Sequence, residues 1–126
     1  MYPITFEVAV EQRVGDFEIT ALSVYAVSDG QVVTEVPAGK SFEIRADYSI
    51  RNYNPGWTNW TTCMTVYDVT HAQPVGSDEF GNHFGGGPLS AHDSVNAIMP
   101  SEPTTFRVKI SANQEAFAGC PPSAEW

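Results

Sequence analysis

Positive charge is scarce in this chain. Six Lys and Arg stand against fifteen Asp and Glu, a formal net charge of -9 over 126 residues. So few cations cannot neutralise a run of phosphates, and nucleic-acid binding is excluded on that ground. Long apolar runs are missing as well: none approaches the ~20 residues of a membrane-crossing helix, so no membrane insertion is expected. Convincing amphipathic helical periodicity is absent throughout; Glu115 to Ala118 could form one helical turn at most. Catalytic signatures are equally thin. There is no HxxxH or HExxH pattern and no G-x-S-x-G elbow. No Lys-Ser/Thr follows Gly85-Gly86-Gly87 to make a phosphate loop. No cofactor and no enzymatic activity are expected.

Cysteine is limited to Cys63 and Cys120, too far apart for a CxxC redox or zinc motif. If the two are oxidised they close a loop of 58 residues, counting both ends. Chain entropy alone would then stabilise the fold by ~4 kcal/mol. The alternative is a pair of unrelated buried thiols. A disulfide would imply an oxidising compartment or a thermophilic source, and the sequon Asn59-Trp60-Thr61 fits a secreted context. Met1 is followed by neither a basic stretch nor an apolar one. That pattern suits a mature or excised piece, or a protein that is never exported through a signal peptide, such as a virion protein made in the cytoplasm.

What the chain does have is alternation. Apolar residues make up 42% and charged residues 17%, a balance that permits a packed core. The dominant period is two. Ile4, Phe6, Val8 and Val10 alternate with polar or small residues in a strand-like segment reaching Gln12. Phe17 to Val27 reads as a second strand, with Phe17, Ile19 and Ala21 spaced by two, and Val32-Val33 as a short one. Phe42, Ile44, Ala46, Tyr48 and Ile50 alternate cleanly with Glu43, Arg45, Asp47, Ser49 and Arg51. Trp60 to Val69 is β-branched and aromatic. Val75 and Phe80 suit a short edge strand, Val95 to Met99 another short strand, and Phe106 to Ile110 a last one. Asn52 to Asn59 and the glycine-rich Gly81 to Pro88 read as loops. The expectation is one domain over residues 1–126. It is all-β: an antiparallel two-sheet Ig-like β-sandwich, with a tail from Asn113. Its core should hold Phe42, Ile44, Tyr48, Ile50, Val66, Phe106, Val108 and Ile110.

Several segments together resemble a known pattern. They are Pro37-Ala38-Gly39-Lys40-Ser41-Phe42, Tyr48-Ser49-Ile50-Arg51-Asn52 and Thr65-Val66-Tyr67-Asp68, then Val75-Gly76, Met99-Pro100 and Thr104 to Ile110. The stretch from 37 to 112 resembles the CARDB-like and related immunoglobulin-like or fibronectin-type domains of bacterial, archaeal and viral surface proteins. The resemblance implies a β-sandwich used for adhesion, spacing or assembly, with no universal active site. The chain departs from antibody-type domains, because Cys120 lies about ten residues beyond the last clear strand. A Cys63–Cys120 bond is therefore expected to pin the tail onto the sandwich and not to cross its core.

Candidate sites are few. His71, His83 and His92, with Asp78, Glu79 and Asp93, supply metal-ligand types without metal-site spacing. Ser77 to Asn82 is oxygen-rich but lacks the spacing of a calcium loop. No metal is expected. Tyr53, Trp57 and Trp60 surround Asn54-Pro55-Gly56 and are the candidate binding patch, suited to sugar rings or a protein partner; alternatively Trp60 enters the core. Residues 1–12 either form the first strand of the domain or add to the sheet edge of a neighbouring subunit. The function expected is a non-catalytic structural or interaction module in an extracellular, cell-surface or virion setting, with protein partners or self-assembly. The alternatives are a carbohydrate-binding module and a capsid, tail or filament subunit assembling through its terminal strands.

Overall fold

The computed structural model describes residues 1–10, 13–81, 83–113 and 119–126, apart from the side chains of His83 and Phe84. The expected helical turn at Glu115 to Ala118, and Gln12 and Asn82, lie outside these residues. The strands are β1 (Tyr2–Val10), β2 (Arg13–Val14), β3 (Phe17–Ser28), β4 (Gln31–Val33), β5 (Glu35–Val36) and β6 (Ser41–Asn52). They continue as β7 (Thr58–Asn59), β8 (Thr61–Asp68), β9 (Gln73–Phe80), β10 (His83–Phe84), β11 (Gly87–Ile98) and β12 (Thr104–Asn113). One sheet is ordered β5-β1-β12-β8-β9. The other is ordered β11-β6-β3-β2, with β4 on β3, while β7 and β10 form a small ladder of their own. The result is the expected two-sheet β-sandwich.

Alternation places the core. The eight residues expected to fill it are each at most 3% exposed. Phe42 of one sheet meets Phe106 of the other edge-on, with ring centroids 5.9 Å apart. Trp60 packs between Phe17 and Phe80, at 6.4 and 5.6 Å.

Four local features differ from the sequence reading. First, β1 runs parallel to β12, from Ile4 opposite Thr104 to Val10 opposite Ile110, so this sheet is mixed and not wholly antiparallel. β1 is thus a strand of its own domain, and its β12-facing side is occupied. Second, β3 does not keep one phase. Its register with β6 shifts between Thr20 and Ser23, and Ala21 sits at φ 51°. This bulge moves the inward positions from Phe17 and Ile19 to Leu22, Val24 and Ala26, leaving Ala21 exposed. Third, β11 is a twelve-residue strand and not a short one at Val95. Its inward residues Ala91, Asp93, Val95 and Ala97 are small or charged, which weakens the apolar signal. Fourth, the glycine-rich segment is not wholly loop, since β10 and the start of β11 lie within it, and β7 lies at the end of the other expected loop.

The edges β9 and β11 lie against each other. An added Cβ at Gly76 would come within 2.8 Å of Val95 Cγ1. Asp78 Oδ2 accepts the Ser94 amide at 2.9 Å across the same seam. The C-terminal tail straps the outer face of β8 and β12. Cys120 is bonded to Cys63 with S–S 2.04 Å. Arg107 donates to the Trp126 carbonyl at 3.2 Å and Lys109 to the Glu125 carbonyl at 3.2 Å. The strap explains why Thr61, Cys63 and Thr65 on that outer face are buried as thoroughly as Thr62, Met64 and Val66 on the inner one.

Three substitutions test these features. Ala21→Gly should stabilise the protein by roughly 0.5–1 kcal/mol in urea unfolding, because glycine takes positive φ without the Cβ penalty. Gly81→Ala should destabilise it, since the new Cβ would lie 2.5 Å from the Trp60 carbonyl oxygen. Cys120→Ser should cost up to ~4 kcal/mol, the chain-entropy value for this loop, in the same assay under non-reducing conditions.

Candidate functional site

The sandwich brings its polar side chains together in three places. The first is the loop after β6. Asn52, 2% exposed, anchors it. Asn52 Oδ1 accepts the Asn54 amide at 2.9 Å, and Asn54 Oδ1 accepts the Gly56 amide at 2.9 Å. These are Asx turns, which fix a loop through its own side chains. Asn52 Nδ2 also donates to the Gly85 carbonyl at 3.4 Å, tying the loop to the glycine-rich segment. An added Cβ at Gly86 would lie 3.1 Å from the Asn54 carbonyl oxygen, so glycine lets the two backbones approach.

The three aromatics of the candidate patch separate here. Trp57 is 74% exposed and Tyr53 is 45% exposed, but Trp60 is 2% exposed in the core and does not belong to the patch. Trp60 immediately precedes β8 and packs on Phe17 and Phe80, so its indole fills the end of the sandwich. The Tyr53 ring lies beneath two guanidinium groups, Arg13 at 4.2 Å and Arg51 at 5.0 Å. Its hydroxyl donates to Glu18 at 2.9 Å. The arginines compete for the face a sugar would stack on, which leaves Trp57 as the main platform.

The second place is His71, in the turn between β8 and β9. Nδ1 lies 2.7 Å from Asp68 Oδ2, and Nε2 lies 2.6 Å from Glu102 Oε1. The hydrogen bond that the imidazole donates to Asp68, then the charge of Asp68, then the hydrogen bond to Glu102 and its charge raise the imidazole pKa against partial desolvation. While it is protonated, with both nitrogens donating to carboxylates, His71 has no lone pair to act as a base. It latches the β8–β9 turn to the turn before β12. A groove beside it, lined by Pro74, Val75, Ala97, Ile98 and Pro100, has His71 at its rim.

The other candidate ligands do not converge. His92 sits on β11 with its ring 5.6 Å from Phe80. Asp78 is spent on the amides of Glu79 and Ser94, and the side chains of Ser77 and Glu79 leave the opposite face of β9. The side chain of His83 lies outside the described residues. Among the described residues, no group of three His, Cys, Asp or Glu is placed to hold a metal ion.

The third place was not legible as a site: a polar chain through the core. Asp93, 2% exposed, faces inward from β11. Its Oδ2 lies 2.6 Å from Tyr48 Oη, which lies 2.5 Å from Thr62 Oγ1, which lies 3.0 Å from the Phe80 carbonyl oxygen. Tyr48 Oη donates to Asp93 Oδ2 while the carboxyl is ionised, and Thr62 Oγ1 donates to the Phe80 carbonyl; the Tyr48–Thr62 contact gains a proton of its own when Asp93 is protonated and donates instead. The electrostatics bring the two states close. Burial first, and then the charges of Asp78 and Glu79, push Asp93 up to about 7 against the pull of the Tyr48 hydrogen bond. Burial and Asp93 together also raise Tyr48 above the usual phenol range.

No family model matches this chain, and no curated protein matches it. Among solved structures the chain is similar to part of a β-glucuronidase from glycoside hydrolase family 2. The identity is 18%, the TM-score 0.57, and the match covers 75% of this chain and 10% of that one. The likeness is one of fold, a β-sandwich, and the chain spans about a tenth of that enzyme's length. Among the described residues no helix is long and apolar enough to cross a membrane.

The polar chain has a pH signature. Folded Asp93 keeps a proton that the unfolded chain gives up near pH 4, so stability falls as pH rises from there to about 7. His71 acts in the same direction. Its raised pKa contributes stability that is complete below ~6.5, the unfolded histidine value, and is lost as pH rises through the folded one. Urea unfolding should therefore show greater stability at pH 5 than at pH 8, with roughly 1–3 kcal/mol of the difference from Asp93. Asp93→Asn supplies a permanent donor to Tyr48 and should remove most of that slope, while His71→Gln should remove only the part above pH 6.

Proposed function

We propose that this chain is a non-catalytic interaction module of an extracellular or surface assembly, and that it makes contact through the loop end carrying Trp57. One observation carries the reading. A tryptophan 74% exposed sits on a loop fixed by two Asx turns and by Asn52. Leaving so large an apolar ring in water costs hydration free energy, and rigid aromatics held at a surface are the residues that dominate binding contacts. Three further features support it. His71, Asp78 and Asp93 are engaged in structural bonds. The Cys63–Cys120 bond suits an oxidising setting. The resemblance of residues 37–112 to CARDB-like and immunoglobulin-like surface domains points to adhesion, spacing or assembly, in a cell-surface or virion context.

Carbohydrate is the second reading. It is favoured by the same Trp57 platform and by the likeness in fold to a segment of a β-glucuronidase. An indole face stacks on the C–H face of a sugar ring, and the neighbouring amide groups of Asn54 could orient its hydroxyls.

Trp57→Ala should leave the unfolding midpoint nearly unchanged, because the ring is exposed, and should weaken partner or glycan binding at least tenfold. The readouts are tryptophan fluorescence across an oligosaccharide panel and pull-down from the native surface fraction. A glycan-dependent shift that Trp57→Ala abolishes would select the carbohydrate reading. Wild-type binding of either kind that Trp57→Ala leaves intact would remove this loop as the contact surface.

A further inference from the structure

We infer that the free edge of β1 is a self-association surface, joining two copies of this chain antiparallel about Val8. The inference deepens the proposed function by naming a partner, a second copy, and it uses a surface other than the Trp57 loop.

Backbone parity supplies the first argument. The Ile4 amide donates to the Thr34 carbonyl at 3.0 Å, on the β5 side. Hydrogen-bonding groups alternate sides along a strand, so Ile4, Phe6, Val8 and Val10 all aim their N–H and C=O away from β12. The β5 pairing covers only Tyr2 and Pro3. From Phe6 to Val10 the outward groups meet no strand among the described residues.

Side chains supply the second. Val8 lies beside Val108 in the ladder, on the core-facing side. Val108 is 0% exposed, yet Val8 is 48% exposed. An inward-facing valine beside a fully buried one, itself half in water, marks a place where the core face lacks a cover. The other open edges are poorer templates. β9 and β11 lie against each other, β3 is broken by the bulge at Ala21 in the stretch between its β2 and β4 pairings, and β2, β4 and β5 are two or three residues long.

Self-complementarity supplies the third and selects the occupant. With a two-fold axis at Val8, Val8 stands opposite the partner's Val8, and Phe6 opposite the partner's Val10. Every such pair joins residues whose hydrogen-bonding groups face outward, so each exchanges two hydrogen bonds. On the solvent face Glu7 falls opposite the partner's Ala9, so no like charges oppose each other there, and Glu7 already has Arg107 at 3.5 Å. The pairing needs only Phe6 to Val10 of each copy, clear of the lane that β5 occupies beside Tyr2 and Pro3. An isologous pairing of this kind closes on itself and gives a dimer, not a filament.

The test is sedimentation velocity from micromolar to millimolar protein, on the full chain with its disulfide intact. Wild type should show a monomer–dimer equilibrium. It should tighten with added salt, because two chains of net charge -9 repel while the contact itself is apolar and backbone-mediated. Val8→Pro removes an outward N–H that the β12 ladder does not use, and should weaken association at least tenfold. Val8→Lys sets two like charges across the axis and should do the same while leaving the exposed site folded. Circular dichroism and the unfolding midpoint verify the fold of each variant; if Val8→Pro unfolds, Val8→Lys carries the test. Wild type monomeric throughout the range, a dimer unaffected by both substitutions, or a dimer loosened by salt would overturn the inference. Loss of association with ligand binding at Trp57 retained would leave the proposed function standing, and the reverse result would separate the two the other way.

Discussion

Two inner faces, pressed together along β6 and β12, set the terms for the rest of the molecule. Phe42 against Phe106 and the flanking Ile44, Ile50, Val108 and Ile110 make the dry interior. A side chain on either inner face must be apolar or must bring its own hydrogen-bond partner. Asp93 meets that condition by sharing a chain of hydroxyls with Tyr48 and Thr62, which crosses from one sheet to the other. The carboxyl is held in the core by the Tyr48 hydrogen bond, and burial shifts it toward its protonated form. The interior that fixes the fold thereby couples it to pH.

Much of this was legible in the sequence because a pleated strand repeats every two residues. The alternation from Phe42 to Ile50 and from Phe106 to Ile110 needs no tertiary information to place its buried side. Where the structure departs from it, one residue breaks the count. At Ala21 the chain inserts a bulge, and positive φ for alanine has no compositional marker. In β11 a charged residue occupies an inward position, and its acceptability depends on Tyr48, which is 45 positions away. The parallel course of β1 beside β12 joins the two ends of the chain, and pairing over such separations leaves no local trace.

The candidate site was legible in part for a related reason. Residue type picked out Trp57 and Tyr53, and the turn chemistry of Asn54-Pro55-Gly56 placed them on a loop. Burial could not be read from type. Trp60, three residues from Trp57, goes to the core because the start of β8 turns it toward Phe17 and Phe80. Sequence reasoning grouped His71 with His83 and His92 as metal-ligand types without metal-site spacing. Its carboxylate partners come from its own turn and from the turn before β12, and the second of these is brought near only by the pairing of β8 with β12.

A sandwich with this much strand must dispose of its edges, and the means differ from edge to edge. β9 and β11 are laid together and clipped by Asp78, with Gly76 allowing the close approach. The outer face of β8 and β12 is strapped by the tail, and the disulfide holds the strap where hydrogen bonds to Arg107 and Lys109 alone would fray. β5 blunts one end of β1, and no strand among the described residues covers the rest of that edge. With His71, Asp78 and Asp93 engaged internally, the folded chain offers outward surfaces of two chemically distinct kinds. One is an aromatic ring on a fixed loop, which discriminates by shape and stacking. The other is a run of backbone donors and acceptors flanked by half-covered valine and phenylalanine, which accepts an extended strand. A module with both can bind one thing and be held beside another without either contact disturbing the core.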